Sequence, residues 1–471
     1  MSDTKPANTA TPDLGFLSLH PFVPAVVQDK IKGTIVGSAL GDCIGLYTEF
    51  LSSELAREAY PDGKFRLANP ATKFRNDGHR NKFEIGSWTD DTDHALMILL
   101  SFLHHDGETL SANDLAHRLL IWVEQGLRAL NRPPLGLGRT VGSVNGFPQQ
   151  NPPEFVDKSG RKVAPNGSLM RTHPLGIICV GYSFEETCRI ATDFSLVTHA
   201  DPRCVVACCI ATGLVRGILR GEILAEVDVD NMIERVYGWV DRWTRSRQTE
   251  PKDLESNDTS EFEGGELLDQ QEFSKHVQAQ TFEELQLDDS MKIGYVYKCL
   301  GAAILSLRMA MRRAPFNTVV AGKHTDTLPS AIFESIITEL TLAAGDADTN
   351  ACVAGAFLGC WFGYNALPPH WRDGMQHFDW LTHKCNGLIE ILQISREPES
   401  KYKGKEDPDT RPDGGKGLMD REELQKRDCH FMLRYMAKHS EGAEEEKARL
   451  KQEKKPKQKR WTGIFGGKFK E

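Results

Sequence analysis

The sequence of 471 residues predicts an all-α fold, built as one large single-domain helical bundle. Two observations carry this prediction. Apolar residues recur every three or four positions in many segments, the spacing that places them on one face of a helix, and the alternating patterns typical of strands are scarce. Apolar residues make up 40% of the chain and charged residues 26%, so most of it is expected to fold.

The periodic segments follow one another along most of the chain. After residue 292, for example, Ile293, Val296 and Leu300 begin an apolar series that keeps this spacing to Met311. The helix at Thr89 begins with Thr and Asp residues, which cap a helix and complement its dipole. The predicted helices are Gln28–Ala39, Thr89–Leu103, Ala112–Leu130, Phe184–Ser195, Pro202–Leu219, Val229–Thr244, Ile293–Arg313, Ser330–Ala344 and Thr349–Tyr364.

Composition indicates where the helical domain begins and where it is interrupted. Residues 1–25 are rich in Thr, Ala and Pro and are expected to be disordered. Residues 26–397 form the predicted domain, with an acidic insertion at about 245–290. Between Glu250 and Asp289 there are thirteen acidic residues and two lysines. Such a segment buries too little apolar surface to order itself, so we expect an insertion loop.

The C-terminal region, residues 398–471, is predicted to hold a linker at 398–418, a helix at Asp420–His439 and a basic tail. The whole chain has a net charge of −9, but from Lys447 onward ten basic residues accompany two acidic ones, so the remainder carries −17. An acidic body argues against a surface that follows nucleic-acid phosphates. The tail is expected to be solvated, with weak nucleic-acid contacts or an import signal as alternatives.

Membrane and disulfide classes are not expected. No apolar run approaches the roughly 18 residues needed to cross a bilayer, and Met1–Pro12 contain no apolar signal region. None of the eleven cysteines forms a Cys-x-x-Cys pair. Cys204, Cys208 and Cys209 have helical spacing among small apolar residues, which is typical of core thiols rather than zinc ligands. The sequence therefore predicts a soluble monomer, located in the cytoplasm or nucleus.

Two acidic turns carry the sharpest chemical signal. Residues 88–93 read Trp-Thr-Asp-Asp-Thr-Asp at a predicted helix start, and residues 345–350 read Gly-Asp-Ala-Asp-Thr-Asn between two predicted helices. Carboxylates buried side by side repel each other unless a cation or a helix dipole compensates them. Every ligand atom offered is oxygen, which favours Mg²⁺ or Mn²⁺ over zinc.

If the two turns meet in space, their four aspartates balance the charge of two divalent ions, and two threonines add neutral ligands. The alternative is that each turn only caps its own helix. The predicted ligands of the binuclear site are Thr89, Asp90, Asp91, Asp346, Asp348 and Thr349.

A segment of small residues from Gly33 to Glu49 is a third candidate. Its glycines recur every four residues at Gly37, Gly41 and Gly45, which is typical of a helix packed closely against a neighbour. Asp42 and Glu49 each stand alone among apolar or small residues, so they are candidates for a functional site.

Two further segments can contact a ligand. The string Asn166–Arg171 is a turn before a helix, where backbone N–H groups can hold an anion or sugar hydroxyls, although as an isolated string it is an ordinary turn. His199 precedes a helix that starts with Pro202; such a histidine either bonds locally or contacts a ligand. The string Gly136–Gly142 nearly spells a dinucleotide-binding motif, but its spacing is wrong and no strand precedes it, so we reject that site.

Taken in order, these segments resemble the ADP-ribosylglycohydrolase family, which includes dinitrogenase-reductase-activating glycohydrolase and the ADP-ribosyl-acceptor hydrolases. The resemblance spans about residues 29–370 without the acidic insertion, and its paired Thr-Asp-Asp-Thr and Asp-x-Asp-Thr motifs are intact. It implies an all-α bundle around two metal ions, usually magnesium and sometimes manganese. It also implies hydrolysis of the bond between the anomeric carbon of ADP-ribose and a protein side chain or other acceptor.

The resemblance also implies roles for single residues. The six predicted ligands would hold the metals, Asn166, Gly167 and Ser168 would hold the diphosphate or distal ribose, and His199 would lie against the ADP-ribose. Gly41–Gly45, which includes the candidate substrate contact Asp42, is followed by Glu49 and is most similar to the subgroup that acts on ADP-ribosyl-serine. In that subgroup the matching glutamate gates the site and serves in catalysis. Residues 163–165 depart from that subgroup's pattern.

The expected function is therefore that of a Mg²⁺-dependent hydrolase of N- or O-glycosidic bonds to ADP-ribose. Two ions about 3.5–4 Å apart can chelate the ribose diol and orient a water molecule. Glu49, Asp90 or Asp91 is the expected base. The alternatives are a non-catalytic ADP-ribose-binding module and a metal-dependent phosphoesterase. The expected partner is an ADP-ribosylated protein or a small ADP-ribose conjugate.

Overall fold

The computed structural model describes residues 12–136, 138, 164–249, 268–314, 328–394 and 401–453. Within these ranges the chain is all-α, with two isolated β-bridges and no strand. The α-helices are α1 Val23–Gly45, α2 Ser53–Ala59, α3 Asp90–His104, α4 Ala112–Gln125, α5 His173–Ile178, α6 Phe184–Leu196, α7 Pro202–Arg220, α8 Glu226–Thr249, α9 Gln270–Val277, α10 Phe282–Leu285, α11 Val296–Arg313, α12 Pro329–Leu342, α13 Ala347–Phe362, α14 Pro369–Arg372, α15 Phe378–Ile391 and α16 Arg421–Glu453.

Short 3-10 helices connect several of these elements. They are Gly15–Ser18, Arg80–Lys82, Arg128–Leu130, Asn166–Ser168, Cys179–Gly181, Tyr364–Ala366 and Pro408–Thr410. The described residues form two compact units. The first unit contains residues up to Lys73 and from Glu84 to Met419; the second contains Phe74–Phe83 and the chain from Asp420.

Helices α1 and α13 form the centre of the first unit and run antiparallel in close contact. A Cβ atom added at Gly33 would lie 2.2 Å from the carbonyl oxygen of Gly359, and one added at Gly41 would lie 1.9 Å from that of Ala351. Only glycine permits this approach, as the four-residue spacing predicted. The antiparallel pairing brings the C-terminal end of α1 beside the N-terminal end of α13.

Helix α7 lies in the interior, packed by α5, α6, α8 and α11. By length and composition alone it could cross a membrane, but 94% of its most apolar stretch is buried inside the protein, as in a core helix. Its three cysteines are buried free thiols, as the spacing predicted.

The acidic segment differs from the prediction of a loop across about 245–290. Helix α8 continues to Thr249, and residues from Asp269 form α9 and α10, with Phe273 and Val277 buried against α11. Asp269 accepts hydrogen bonds from the first backbone N–H groups of α9. Because we counted acidic residues over all forty positions from 250 to 289, we missed that the part from Asp269 onward has the amphipathic pattern of a helix. Residues 250–267 lie outside the described residues.

Residues 12–25 and 401–418, which belong to segments predicted to be disordered or to form a linker, are ordered. Asp13 N donates to Gly181 O at 2.7 Å, and Phe16 packs under the Arg220 guanidinium. Residues 401–419, which we call the strap, pack within the first unit. The fully buried Lys384 ammonium contacts Asp407 and, at 3.1 Å, Asp409 in the strap.

The second unit is built on α16, which extends beyond the predicted range Asp420–His439. Lys438 Nζ donates to the backbone oxygen of Phe83 at 2.9 Å, and the 3-10 helix Arg80–Lys82 packs on the same helix. Residues 1–11 and the basic tail from residue 454 lie outside the described residues.

Candidate active site

The two acidic turns meet at the ends of α3 and α13. The hydroxyl group of Thr89 lies 2.9 Å from Asp91 Oδ2 and 3.2 Å from Asp348 Oδ2, which joins positions 259 residues apart in sequence. Asp346 precedes α13, yet its side chain caps no backbone N–H among the described residues and instead accepts a 2.8 Å bond from Asn166 Nδ2. Helix capping alone therefore does not account for the acidic turns.

Asp42 holds the α3 turn through hydrogen bonds, and its role as a substrate contact stays a prediction. It is fully buried and does not line the pocket described below. Its carboxylate accepts hydrogen bonds from the backbone N–H groups of Thr89 and Thr92, at 2.9 and 3.1 Å, and from the Thr92 hydroxyl at 2.6 Å. Burial raises the pKa of Asp42 to about 7.

Five carboxylates lie close together around these turns. Carboxylate oxygens of Asp42, Asp91 and Asp348 lie within 4.8 Å of one another, and so do those of Glu49, Asp346 and Asp348. Burial first, and then neighbouring carboxylates, hold the pKa values of Asp91 and Asp348 well above the usual range. The same two causes raise the pKa of Asp346 to about 6. This concentration of negative charge requires protons or cations.

Asp90 belongs to neither triad of carboxylates, but it borders the same space. Burial and the nearby Asp91 and Glu49 raise its pKa well above the ordinary value. A Cβ atom added at Gly136, where φ is 94°, would lie 2.0 Å from Asp90 Oδ1. Gly136 therefore lets the backbone pass directly beside this carboxylate.

A pocket of about 310 Å³ opens over these groups. Most predicted site residues line it, whereas Asp42, Thr89 and Ser168 do not. Its lining residues are Glu49, Phe50, Asp90, Asp91, Gly136, Gly138, Pro165, Asn166, Gly167, Met170, His199, Asp346, Asp348 and Thr349.

The loop after α1 places Glu49 beside the α13 turn. Phe50 N donates to Gly345 O at 2.6 Å, and Gly345 N donates to Leu51 O at 3.1 Å. Phe50 has a positive φ of 60°, which is uncommon for a bulky residue and is held here by these two bonds. The result is a glutamate that is only 6% exposed, next to Asp346 and Asp348.

The turn Asn166–Ser168 forms another wall. The backbone N–H of Asn166 donates to Gly294 O at 3.0 Å, which fixes the turn against the segment before α11. The role of Ser168 as a substrate contact stays a prediction, and its side chain does not line the pocket. That hydroxyl is fully buried, 3.2 Å from Ser195 Oγ and 3.3 Å from Cys208 Sγ, because it points into the packing between α6 and α7.

A sequence model of the ADP-ribosylglycohydrolase family matches residues 24–400. The chain belongs to the ADP-ribosylglycohydrolase family. It is therefore a glycosidase-type hydrolase, and the all-α fold and the two meeting acidic turns agree with the resemblance seen in the sequence.

Two named relatives share about a quarter of their aligned residues with this glycohydrolase. An ADP-ribosylarginine hydrolase of Serratia proteamaculans (strain 568) is 22% identical over 376 residues, covering 77% of this chain and 79% of the relative. The ADP-ribosylhydrolase ARH3 of Danio rerio is 24% identical over 389 residues, covering 79% and 94%. A solved structure described as an ADP-ribosylglycohydrolase-related protein complex matches with a TM-score of 0.47 and 20% identity, covering 78% of this chain and 99% of that one.

Sequence reasoning missed several pocket residues of the glycohydrolase. Phe50, 54% exposed at the pocket, had no motif to mark it, and neither did Pro165 or Met170. Gly136 and Gly138 were part of the string set aside as a false dinucleotide motif. Gly136 was a usable signal, because it marks a close backbone approach to Asp90.

A buried carboxylate network holds the α3 turn from outside the pocket. Asp93 is 1% exposed and accepts bonds from Trp88 Nε1 at 2.8 Å, Trp122 Nε1 at 3.0 Å and Arg132 Nε at 3.2 Å. Arg132 Nη2 also donates to the carbonyl of Trp88 at 2.7 Å. Trp88, which precedes Thr89, is thus held through both its indole ring and its backbone carbonyl.

Proposed function

We propose that this glycohydrolase depends on Mg²⁺ and releases ADP-ribose from modified proteins or small acceptors. One observation carries the proposal. The acidic turns at Asp90–Asp91 and Asp346–Asp348 are joined through the Thr89 hydroxyl, and together they border a pocket of about 310 Å³. Such a pocket lies within the size range of small-molecule sites.

The residues present fit divalent cations. Asp91 Oδ1 is buried and has no hydrogen-bond partner within the described chain, an arrangement that a cation would satisfy. Both triads consist of carboxylates alone, which matches the oxygen preference of Mg²⁺ or Mn²⁺. The residues that would hold the ions are Thr89, Asp90, Asp91, Asp346, Asp348 and Thr349. When bound, the ions supply positive charge that orients the ribose diol and the attacking water.

Glu49 is our choice for the base among the three candidates. Asp90 and Asp91 both belong to the predicted metal ligands, whereas Glu49 does not. Glu49 lies on the pocket wall outside both acidic turns and can accept a proton from the water that attacks the anomeric carbon. The glycosidic bond then breaks, and the proton that Glu49 took passes to the departing acceptor, giving free ADP-ribose and the unmodified acceptor.

We infer an O-linked acceptor from the stretch Gly41–Gly45 followed by Glu49, which resembles the subgroup that acts on ADP-ribosyl-serine. One relative is named for arginine linkage, so an N-linked acceptor is the second candidate. The monomeric state and the cytoplasmic or nuclear location stay predictions. Nucleic-acid contact through the basic tail also stays a prediction and falls outside the described residues.

The test is mass-spectrometric detection of ADP-ribose released from serine-linked and arginine-linked peptides by the full chain. Treatment with EDTA should abolish release, and added Mg²⁺ should restore it. Asp346→Asn and Asp90→Asn should each lower turnover at least about a hundredfold. Asp62→Asn, at an exposed turn, is the matched control. Full release in excess EDTA would contradict metal dependence.

The same samples separate the two alternatives. Calorimetric binding of ADP-ribose without release from either peptide would identify a binding module. Release of inorganic phosphate in place of ADP-ribose would identify a phosphoesterase. Glu49→Gln should lower kcat, and unchanged kcat would exclude Glu49 as the base.

A further inference from the structure

Arg171 is a fully buried arginine that follows the pocket residue Met170. One of its terminal nitrogens, Nη2, donates to Phe194 O at 3.2 Å and to Thr198 Oγ1 at 2.6 Å. A guanidinium group has donors and no acceptor. The Thr198 oxygen must therefore accept from Arg171, and its own proton remains to be donated elsewhere.

The Thr198 hydroxyl lies 2.6 Å from Nδ1 of His199. Within the described residues, the Thr198 hydroxyl has two side-chain hydrogen-bond contacts, Arg171 and His199. Because Arg171 can only donate, Nδ1 of His199 is the partner that can accept the hydroxyl proton. The hydroxyl therefore donates to Nδ1, and Nδ1 carries no proton. In a neutral imidazole the proton then resides on Nε2.

The surroundings also keep His199 neutral. Burial first, and then the nearby Arg171 charge, lower the pKa of His199 to about 3. At neutral pH the ring is therefore an uncharged imidazole with one donor, Nε2–H, and not an imidazolium with two.

His199 lines the pocket, and the Nε2 edge of its ring faces Gly167, which lines the pocket as well. Nε2 is buried and has no hydrogen-bond partner in the described part of the chain. A Cβ atom added at Gly167 would lie 3.1 Å from Cε1 and 3.2 Å from Nε2 of His199, and both residues line the pocket. A buried N–H without an acceptor costs free energy, which a ligand oxygen at this wall would recover.

We propose that Arg171 and Thr198 are positioning residues that fix His199 as a neutral Nε2–H donor to an oxygen of the ADP-ribosyl group. The identity of this ligand rests on the proposed function. The tautomer itself follows from the three side chains, so the two parts can be tested separately.

The tautomer is tested by long-range ¹H–¹⁵N spectra of the full chain labelled with ¹⁵N-histidine. The signals of His199, one of 15 histidines, are identified by their loss in His199→Gln. We expect an unprotonated Nδ1 and a protonated Nε2. A protonated Nδ1, or an imidazolium, in the wild-type spectrum would overturn the proposal.

The role of Thr198 is tested by Thr198→Val, which removes the hydroxyl at nearly constant volume. The His199 nitrogen signals should move toward a mixture of tautomers. The calorimetric Kd for ADP-ribose in Mg²⁺ should rise about tenfold, while Mn²⁺ affinity by electron paramagnetic resonance stays within about twofold. Thr198→Ser should restore the wild-type nitrogen spectrum.

The matched control is Thr192→Val, at a buried hydroxyl that bonds the Cys188 carbonyl within the same helix. It should leave both the His199 spectrum and the Kd unchanged. If Thr198→Val behaves as Thr192→Val does, the positioning role is refuted. If the wild-type chain binds no ADP-ribose, the ligand assignment fails with the proposed function, and the nitrogen spectrum alone decides the tautomer.

Discussion

Replacing Asp93 by Asn should destabilise the first unit strongly. The Asp93 carboxylate is 1% exposed and receives three N–H donors, from Trp88, Trp122 and Arg132, on its two oxygens. An amide presents one oxygen, so its NH₂ group must face at least one of these donors, and Arg132 loses its counter-charge. Breaking a buried, hydrogen-bonded charge pair costs about 3–5 kcal/mol, and this is the loss expected in the free energy of unfolding.

Equilibrium unfolding in urea, followed by circular dichroism, measures this loss. The matched control is Asp241→Asn, which removes a carboxylate paired with Arg245, whose side chain is 72% exposed. Such a surface pair contributes about 0.5 kcal/mol or less. A loss below about 1 kcal/mol for Asp93→Asn, with an unchanged dependence of the unfolding free energy on urea concentration, would refute this reasoning. It would mean that the three donors do not require the Asp93 charge.

Three further predictions concern packing and pH. Gly41→Ala places a Cβ atom 1.9 Å from Ala351 O and should lower the free energy of unfolding by at least about 2 kcal/mol in urea, whereas a neutral effect would contradict the close packing of α1 and α13. Gly136→Ala should lower kcat/KM for ADP-ribose release at least about tenfold, because its Cβ atom would displace Asp90; wild-type kinetics would place that loop away from the site. Burial lowers the pKa of His173 to about 3. Between about pH 3 and pH 6.5 the unfolded chain therefore binds a proton there that the native state does not, so stability falls by about 1.4 kcal/mol for each pH unit of acidification in that window. His173→Gln should reduce this slope of unfolding free energy against pH, and an unchanged slope would exclude the contribution.

Sequence periodicity located the core helices because their apolar faces are read directly from residue spacing. Element ends were less accurate: the predicted helix Ala112–Leu130 stops at Gln125 because Gly126 takes a φ of 73°, and a 3-10 helix follows. Short elements such as α5, with only six residues, were missed because they are too short to show a period.

The strap shows why composition misled in another region. Residues 401–419 are polar and rich in Gly and Lys, as linkers are. Their order depends on a partner elsewhere in the chain, since the buried Lys384 ammonium requires the Asp407 and Asp409 carboxylates. Gly404 also fits closely against the carbonyl of Leu103. Neither contact is visible in a local window of sequence.

The donor chemistry of the site could be predicted, since Asp and Thr clusters specify oxygen ligands whatever the fold. Side-chain direction could not. Asp42 points to the backbone of the α3 turn, and Ser168 points away from the pocket, because one helical step redirects a side chain by about 100° and only tertiary packing selects the step.

The glycine contact between α1 and α13 determines the register of the acidic groups as well as the packing of the core. Glu49 follows α1, and Asp346 and Asp348 begin α13, so their separation depends on how the two helices are aligned along their axes. A slip by one turn would shift one helix about 5.4 Å along the other. That shift exceeds the 4.8 Å within which the oxygens of Glu49, Asp346 and Asp348 now lie. Gly45 belongs both to the helix contact and to the surroundings of the acidic cluster, because a Cβ atom there would lie 2.4 Å from the Asp348 Cα. The small-residue spacing therefore specifies the acidic cluster through the register that it enforces.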